Sequence, residues 1–341
     1  MVDKNPKRDA TRDDDLSTST TKTVPPMVKT VPRVVVPLKY VQEALAEAVV
    51  IAPTPHLTYH GGPVLHNVEV FTIFWGSFWQ GAPQNGLIGQ INNFFDFIVD
   101  SVHMEVIHQY SVPSGQIGHG RRIGSTSVTN SEPGQPIAGG GRQVTDAQIQ
   151  QALQSWIANS IIPSPSPNTL YFVYLPQNVT SLLPGNGSSC VNYCGYHLHT
   201  NNVFYAVMPY PQCGGCQYGP SQLSSLTKVS SHELVEAITD PTGISWFDDN
   251  GGNEIGDICN TQLAQLGGFT IQKEWSNQHN ACIYALNRLG MIVYGSIVGG
   301  GYQTIFGSSD MGQGSGAIAW LIGDVNVDHK ADVVQMWNSN P

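Results

Sequence analysis

Charge is what this chain has least of. Lys, Arg, Asp and Glu make up 12% of 341 residues, about half the roughly 25% usual for globular domains. The 15 basic residues are outnumbered by 25 acidic ones, for a net charge of −10. With no basic stripe to neutralise phosphates, the balance argues against nucleic acid as a partner. No run of 18 apolar residues occurs, so no segment reads as a membrane-spanning helix. The opening MVDKNPKRDATRDDDLSTSTTK has no apolar stretch of the kind a secretory signal needs. Either the true start lies further upstream, or export takes another route, or the protein stays inside. No G-x-S-x-G elbow is present, which argues against a serine hydrolase although Ser, His and Asp are plentiful. Cysteine is missing from the first half altogether.

What is present points outward from the cell. Gly 36 and Pro 22 are both high, as in loop-rich extracellular proteins. All six cysteines lie between 190 and 282, and six allow 15 pairings. The spacing C-x3-C…C-x2-C at 190, 194, 213 and 216 fits either disulfides or a zinc ribbon. The Gly/Pro-rich surroundings favour disulfides, and clustering suggests Cys190–Cys194, Cys213–Cys216 and Cys259–Cys282. Asn178 and Asn186 head N-x-[ST] sequons, which matter only in a eukaryotic secretory host.

Residues 1–55 read as a disordered leader or propeptide, with a short helix at 40–49. The main domain is expected over 56–286. Val68–Trp75 has the β-branched and aromatic content of a buried strand. Leu87, Ile91, Phe94, Ile98 and Val102 recur at helical spacing. The segments from SVPSGQIGHGRR to PIAGGGRQ read as Gly-rich loops. Thr145-Asp146-Ala147-Gln148 is a capping box opening a helix with Ile149, Leu153, Trp156 and Ile157 inward. TLYFVYL (169–175) and VFYAVM (203–208) read as strands. Ser221 caps a helix that Pro241 ends. This order gives an α/β fold with a mixed sheet, packed helices and Gly/Pro-rich loops.

That last helix carries SHELVEAITDP, residues 231–241. His232 and Glu236 fall one turn apart on one face, close enough to share an ion. Imidazole and carboxylate are both zinc ligands. Glu233 stands where HExxH enzymes keep the base that takes a proton from water. The bland alternative is a solvated helix face bearing charges. A third ligand is needed, and Asp240 lies about 12 Å along the axis from His232, so it reads better as a helix-end carboxylate bonding backbone amides. Glu254, eighteen residues after Glu236 in NEIGDIC, is the better candidate, with Asp257 three residues on. This arrangement resembles thermolysin-like zincins, whose third ligand is a glutamate in an Asn-Glu motif. His197 and His199 in CGYHLH could bind metal but read as structural, as do His60 and His66.

SHELVEAITDP, NEIGDIC, IQKEWSNQHNAC, LTYHGGPVLHNVEVFTIFWG and the CGYH and CGGC pair together resemble a bacterial group related to the plant EXORDIUM, or phosphate-induced-protein, family. The resemblance covers roughly 57–285. It implies an extracellular setting and a fold that survives without metal, since the plant relatives generally lack the His–Glu pair.

Asp324, Asn326, Asp328 and Asp332 place oxygen donors at calcium-loop positions 1, 3, 5 and 9. With WLIGDVN and VVQMW around them, residues 287–341 resemble one incomplete FG-GAP or VCBS repeat. Val327 and His329 stand where that family has glycines, which weighs against calcium. The functional expectation is a secreted zinc-dependent hydrolase, most simply a metallopeptidase acting on peptide or protein substrates. Its alternative is a non-catalytic extracellular or cell-surface protein with a vestigial metal site.

Overall fold

The computed structural model describes residues 54–286 in full, and the backbone of the strands Val35–Pro37, Leu289–Ser296, Tyr302–Phe306, Ala317–Gly323 and Asp332–Asn338. Its centre is a six-stranded mixed sheet. In chain order the strands are β1 (Val35–Pro37), β2 (Glu69–Trp75), β3 (Arg121–Val128), β4 (Thr169–Tyr174), β5 (Tyr193–Thr200) and β6 (Val203–Met208). In space the order is β1-β5-β6-β4-β2-β3. The run β6-β4-β2-β3 is parallel throughout, while β5 is antiparallel to β6 and β1 is antiparallel to β5. The antiparallel turn is local in origin. Thr200 pairs with Val203, so Asn201-Asn202 form a two-residue hairpin loop, and Asn201 takes a positive φ of 53°, which asparagine tolerates.

Helices cover both faces of this sheet, so its central strands are apolar on both sides. Alternate residues of β4 show the division. Leu170, Phe172 and Tyr174 pack with Phe94, Phe95 and Ile98 of helix α1 (Gln84–Ile98), and with Leu226 and Val229 of helix α3 (Gln222–Thr239). Tyr171 and Val173 face the other way, against Ile149, Leu153 and Trp156 of helix α2 (Asp146–Ala158). The predicted capping box opens α2. Thr145 Oγ1 accepts from the Gln148 amide at 3.3 Å, and the Thr145 amide donates to Gln148 Oε1 at 2.9 Å.

Several expectations change. The predicted Gly-rich loop contains strand β3. Its sequence RRIGSTSV lacks a hydrophobic run because it is a sheet edge with only Val128 buried. The two short cysteine pairs are replaced by crossed ones: Cys190–Cys213 and Cys194–Cys216, with Cys259–Cys282 as expected. Cys213 and Cys216 flank one short turn beside the start of β5, so Cys216 reaches Cys194 on β5 and Cys213 reaches Cys190 just before it, rather than each other. In the leader, Val35–Pro37 is a strand; the helix expected at 40–49 lies outside the described residues. Asp324, Asn326 and Asp328 of the calcium expectation also lie outside them, while Asp332 opens the strand Asp332–Asn338. That strand belongs to an antiparallel four-stranded sheet of its own.

Candidate metal centre

Helix α3 positions the site. Ser221 Oγ accepts from the Ser224 amide at 3.0 Å and fixes its start. Asp240 fixes its end, with Oδ1 accepting from the amides of Ile244 and Ser245 at 2.8 and 2.7 Å. From Ser225 to Thr239 every residue is buried, so the charged face is not solvated. The reason is strand β7 (Phe269–Gln272), which closes over the polar side of the helix. Thr227 Oγ1 donates to the Thr270 carbonyl at 2.7 Å, and the Gln272 amide donates to Ser231 Oγ at 3.0 Å.

That docking orients His232. The Gln272 side-chain amide donates to the Gly256 carbonyl at 2.7 Å, which leaves its Oε1 turned to His232 Nδ1 at 3.0 Å. A carbonyl only accepts, so Nδ1 carries the proton and Nε2 of the neutral ring presents a lone pair. Nε2 lies 2.9 Å from Glu236 Oε2. Neither atom has a hydrogen-bond partner among the described residues. Two acceptors aimed at each other at this distance need a proton or a cation between them. Glu236 Oε1 is already occupied, accepting from the Asp257 amide at 3.1 Å.

The loop after the helix supplies further donors. Glu254 is fully buried, and among the described residues neither of its carboxylate oxygens has a hydrogen-bond partner. Asp146 shows how this protein treats a structural buried carboxylate: it accepts from Tyr196, Tyr205 and Gln150 at 2.9, 2.8 and 2.7 Å. Glu254 has no such set. Gly256 brings the loop backbone against the pair; a Cβ there would lie 2.7 Å from His232 Nδ1 and 2.9 Å from Glu236 Oε1.

The structure brings a residue into the site that the sequence reading placed outside it. His197 stands on β5 and is buried. Its Nδ1 lies 3.0 Å from Glu233 Oε2, and its Nε2 is 3.7 Å from Glu254 Oε1. Two sets of donor atoms result, each within 4.8 Å: His197, Glu236 and Glu254, and His232, Glu236 and Asp257. The expected set of His232, Glu236 and Glu254 is thus divided between two groups that share Glu236. His199, two residues on, is exposed. His60 stacks on Phe247 with ring centroids 3.7 Å apart, and His66 Nδ1 contacts the Gln116 carbonyl.

Burial governs the electrostatics. It holds His232 down to about 4 and lowers His197. It pushes Glu236, Glu254 and Glu274 well above the usual carboxylate range, and Asp240 up to about 6 against the pull of its amide donors. Lys228, one turn before His232, is pulled down to about 7 by burial in spite of Glu274, Glu233 and Glu236 around it. It donates to Asn260 Oδ1 and lies 4.3 Å from the Tyr218 ring centroid. Buried acid thus far exceeds buried base, the condition under which carboxylates either hold protons or gather a cation.

Comparison with protein-family models, curated proteins and solved structures finds no match.

Proposed function

We propose that this chain is a metal-dependent hydrolase, with zinc as the cation and a peptide bond as the target. One observation carries the reading: within a buried, acid-rich cluster the lone pair of His232 Nε2 faces an oxygen of Glu236 that has no hydrogen-bond partner among the described residues. One imidazole and several carboxylates suit zinc. His232 and Glu236 would hold it, with Asp257 or Glu254 completing the set. The hydrogen bond from His232 Nδ1 to Gln272 is the outer partner that such ligands require. When bound, zinc supplies the Lewis acidity that makes water a nucleophile near neutral pH. Glu233 is the group that would take that water's proton, and His197 Nδ1, 3.0 Å from its Oε2, would orient it. The disulfides fit an extracellular setting.

Complete burial of the donor set supports a second reading, a non-catalytic extracellular or cell-surface protein with a vestigial site. Zinc content and hydrolysis of wild type and Glu233→Gln separate the two. The first reading expects about one zinc per chain in both proteins, with hydrolysis reduced at least a hundredfold in the variant. Metal-free protein that folds normally and hydrolyses nothing favours the second.

A further inference from the structure

We infer that the outer edge of β5 is a docking strand for an extended polypeptide, and that Val35–Pro37 of the same chain is the segment that now fills it. As a statement of substrate class this rests on the hydrolase reading above; as a statement about a binding edge it stands alone. On one side β5 pairs with β6, from Thr200↔Val203 to Tyr196↔Val207. The other side carries β1, antiparallel, with Val35 opposite Tyr196, Val36 opposite Gly195 and Pro37 opposite Tyr193. Without β1 this would be an open edge offering backbone donors and acceptors to any extended chain.

The edge lies beside the candidate centre. Gly195 packs directly on α3: a Cβ there would be 2.6 Å from Val229 Cγ1 and 3.3 Å from Glu233 Oε1. Two residues along, His197 contacts Glu233. β1 is itself a neighbour of α3. A chain lying opposite Tyr193–Tyr196 therefore runs its backbone past the proposed proton acceptor. With β1 in place, His232, Glu233 and Glu236 are fully buried. The contact is short, three residues with a register shift at Val36/Pro37, and Pro37 has no N–H to donate. So brief a strand is displaceable.

The test uses the full chain, as wild type and with Val35→Pro and Val36→Pro together; neighbouring N–H groups of a strand point to opposite sides, so the pair removes the donor that faces β5 whichever residue carries it. Amide hydrogen exchange is followed at residues 193–197. Binding is followed by the anisotropy of a labelled peptide of residues 31–39, VPRVVVPLK. The expected result is at least tenfold faster exchange at 193–197 in the variant, and at least tenfold tighter peptide binding than by wild type. Retained protection in β4 reports an intact domain, and the single substitutions Val35→Pro and Val36→Pro, run side by side, serve if the double one unfolds it. Exchange at 193–197 that is the same in both chains overturns the proposal. So does an opened edge that fails to take the peptide. An opened edge that binds the peptide, yet hydrolyses no unfolded protein with zinc added, keeps the docking strand and removes the hydrolase reading.

Discussion

Replacing Gln272 by leucine tests the tautomer argument on which the metal reading depends. Gln272 is fully buried and makes two bonds at once, to His232 Nδ1 and to the Gly256 carbonyl. Leucine fills similar space and makes neither. Two buried polar groups then lack partners, at about 1–3 kcal/mol each, so metal-free protein should lose roughly 2–4 kcal/mol after the apolar gain. If His232 is a ligand held by Gln272, metal affinity should also fall, by about 10–100-fold, or about 1.4–2.7 kcal/mol. Urea unfolding of metal-free protein measures the first quantity, and zinc competition against a chromophoric chelator measures the second. Val235→Ala is the control: a buried apolar truncation on the same helix, which should lower stability and leave zinc affinity within about twofold, since Val235 offers no ligand or outer partner. A Gln272→Leu protein that loses stability as Val235→Ala does, and binds zinc as wild type does, refutes the reasoning.

Zinc titration of Glu236→Gln, Glu254→Gln and Asp257→Asn should find the largest loss for Glu236, the donor common to both sets; whichever of the other two variants loses more identifies the third ligand. Asp240 is raised to about 6 by burial, so the folded protein holds its proton where the unfolded chain, with a pKa of about 4, has released it. Its contribution is therefore unfavourable, growing as pH rises from about 4 to 6 and reaching roughly 3 kcal/mol above that. Asp240→Asn keeps an oxygen for the Ile244 and Ser245 amides, so the fall in stability of metal-free protein over that window should be shallower, as read by urea unfolding at pH 4, 5, 6 and 7. The Cys259–Cys282 bridge closes a span of 23 residues and anchors the turn that carries Asp257. Cys259→Ala with Cys282→Ala should lower the urea-derived stability by about 3 kcal/mol and weaken zinc binding as well.

Local signals sufficed where they stated both ends of an element. Ser221 and Pro241 bracket α3, and Thr145 with Gln148 announces α2, because capping chemistry is written in adjacent residues. Solvation of the helix was not legible. The face carrying Lys228, His232 and Glu236 is covered by β7, whose sequence gives no sign of where it docks. A signal for His197 was present: the run YCGYHLHT, then Asn-Asn, then VFYAVM is a hairpin pattern. It sets His197 on a strand antiparallel to β6 and next to the helix that follows. The crossed disulfides depend on the same hairpin, since β5 and the residues leading into it bring Cys194 and Cys190 beside the turn bearing Cys213 and Cys216. Pairing of that kind is a tertiary fact and not a spacing.

Glutamate at position 236 changes what the centre must balance. Among the described residues six carboxylates are buried around it, Glu233, Glu236, Asp240, Glu254, Asp257 and Glu274, against one lysine, Lys228. A bound dication and Lys228 would supply three positive charges to those six, so the cluster would keep protons even when loaded. Some carboxylates are relieved by backbone donors, as Asp240 is by Ile244 and Ser245. Glu254 has no such relief. With a metal bound, a histidine at 236 would leave one carboxylate fewer and a more acidic ion. Glu236 would blunt that Lewis acidity, and Lys228, two turns earlier on the same stripe, would oppose the effect, since it stabilises negative charge on Glu274, Glu233 and Glu236. Lys228 would act on the centre in that way, although it would offer a metal no lone pair while it is charged.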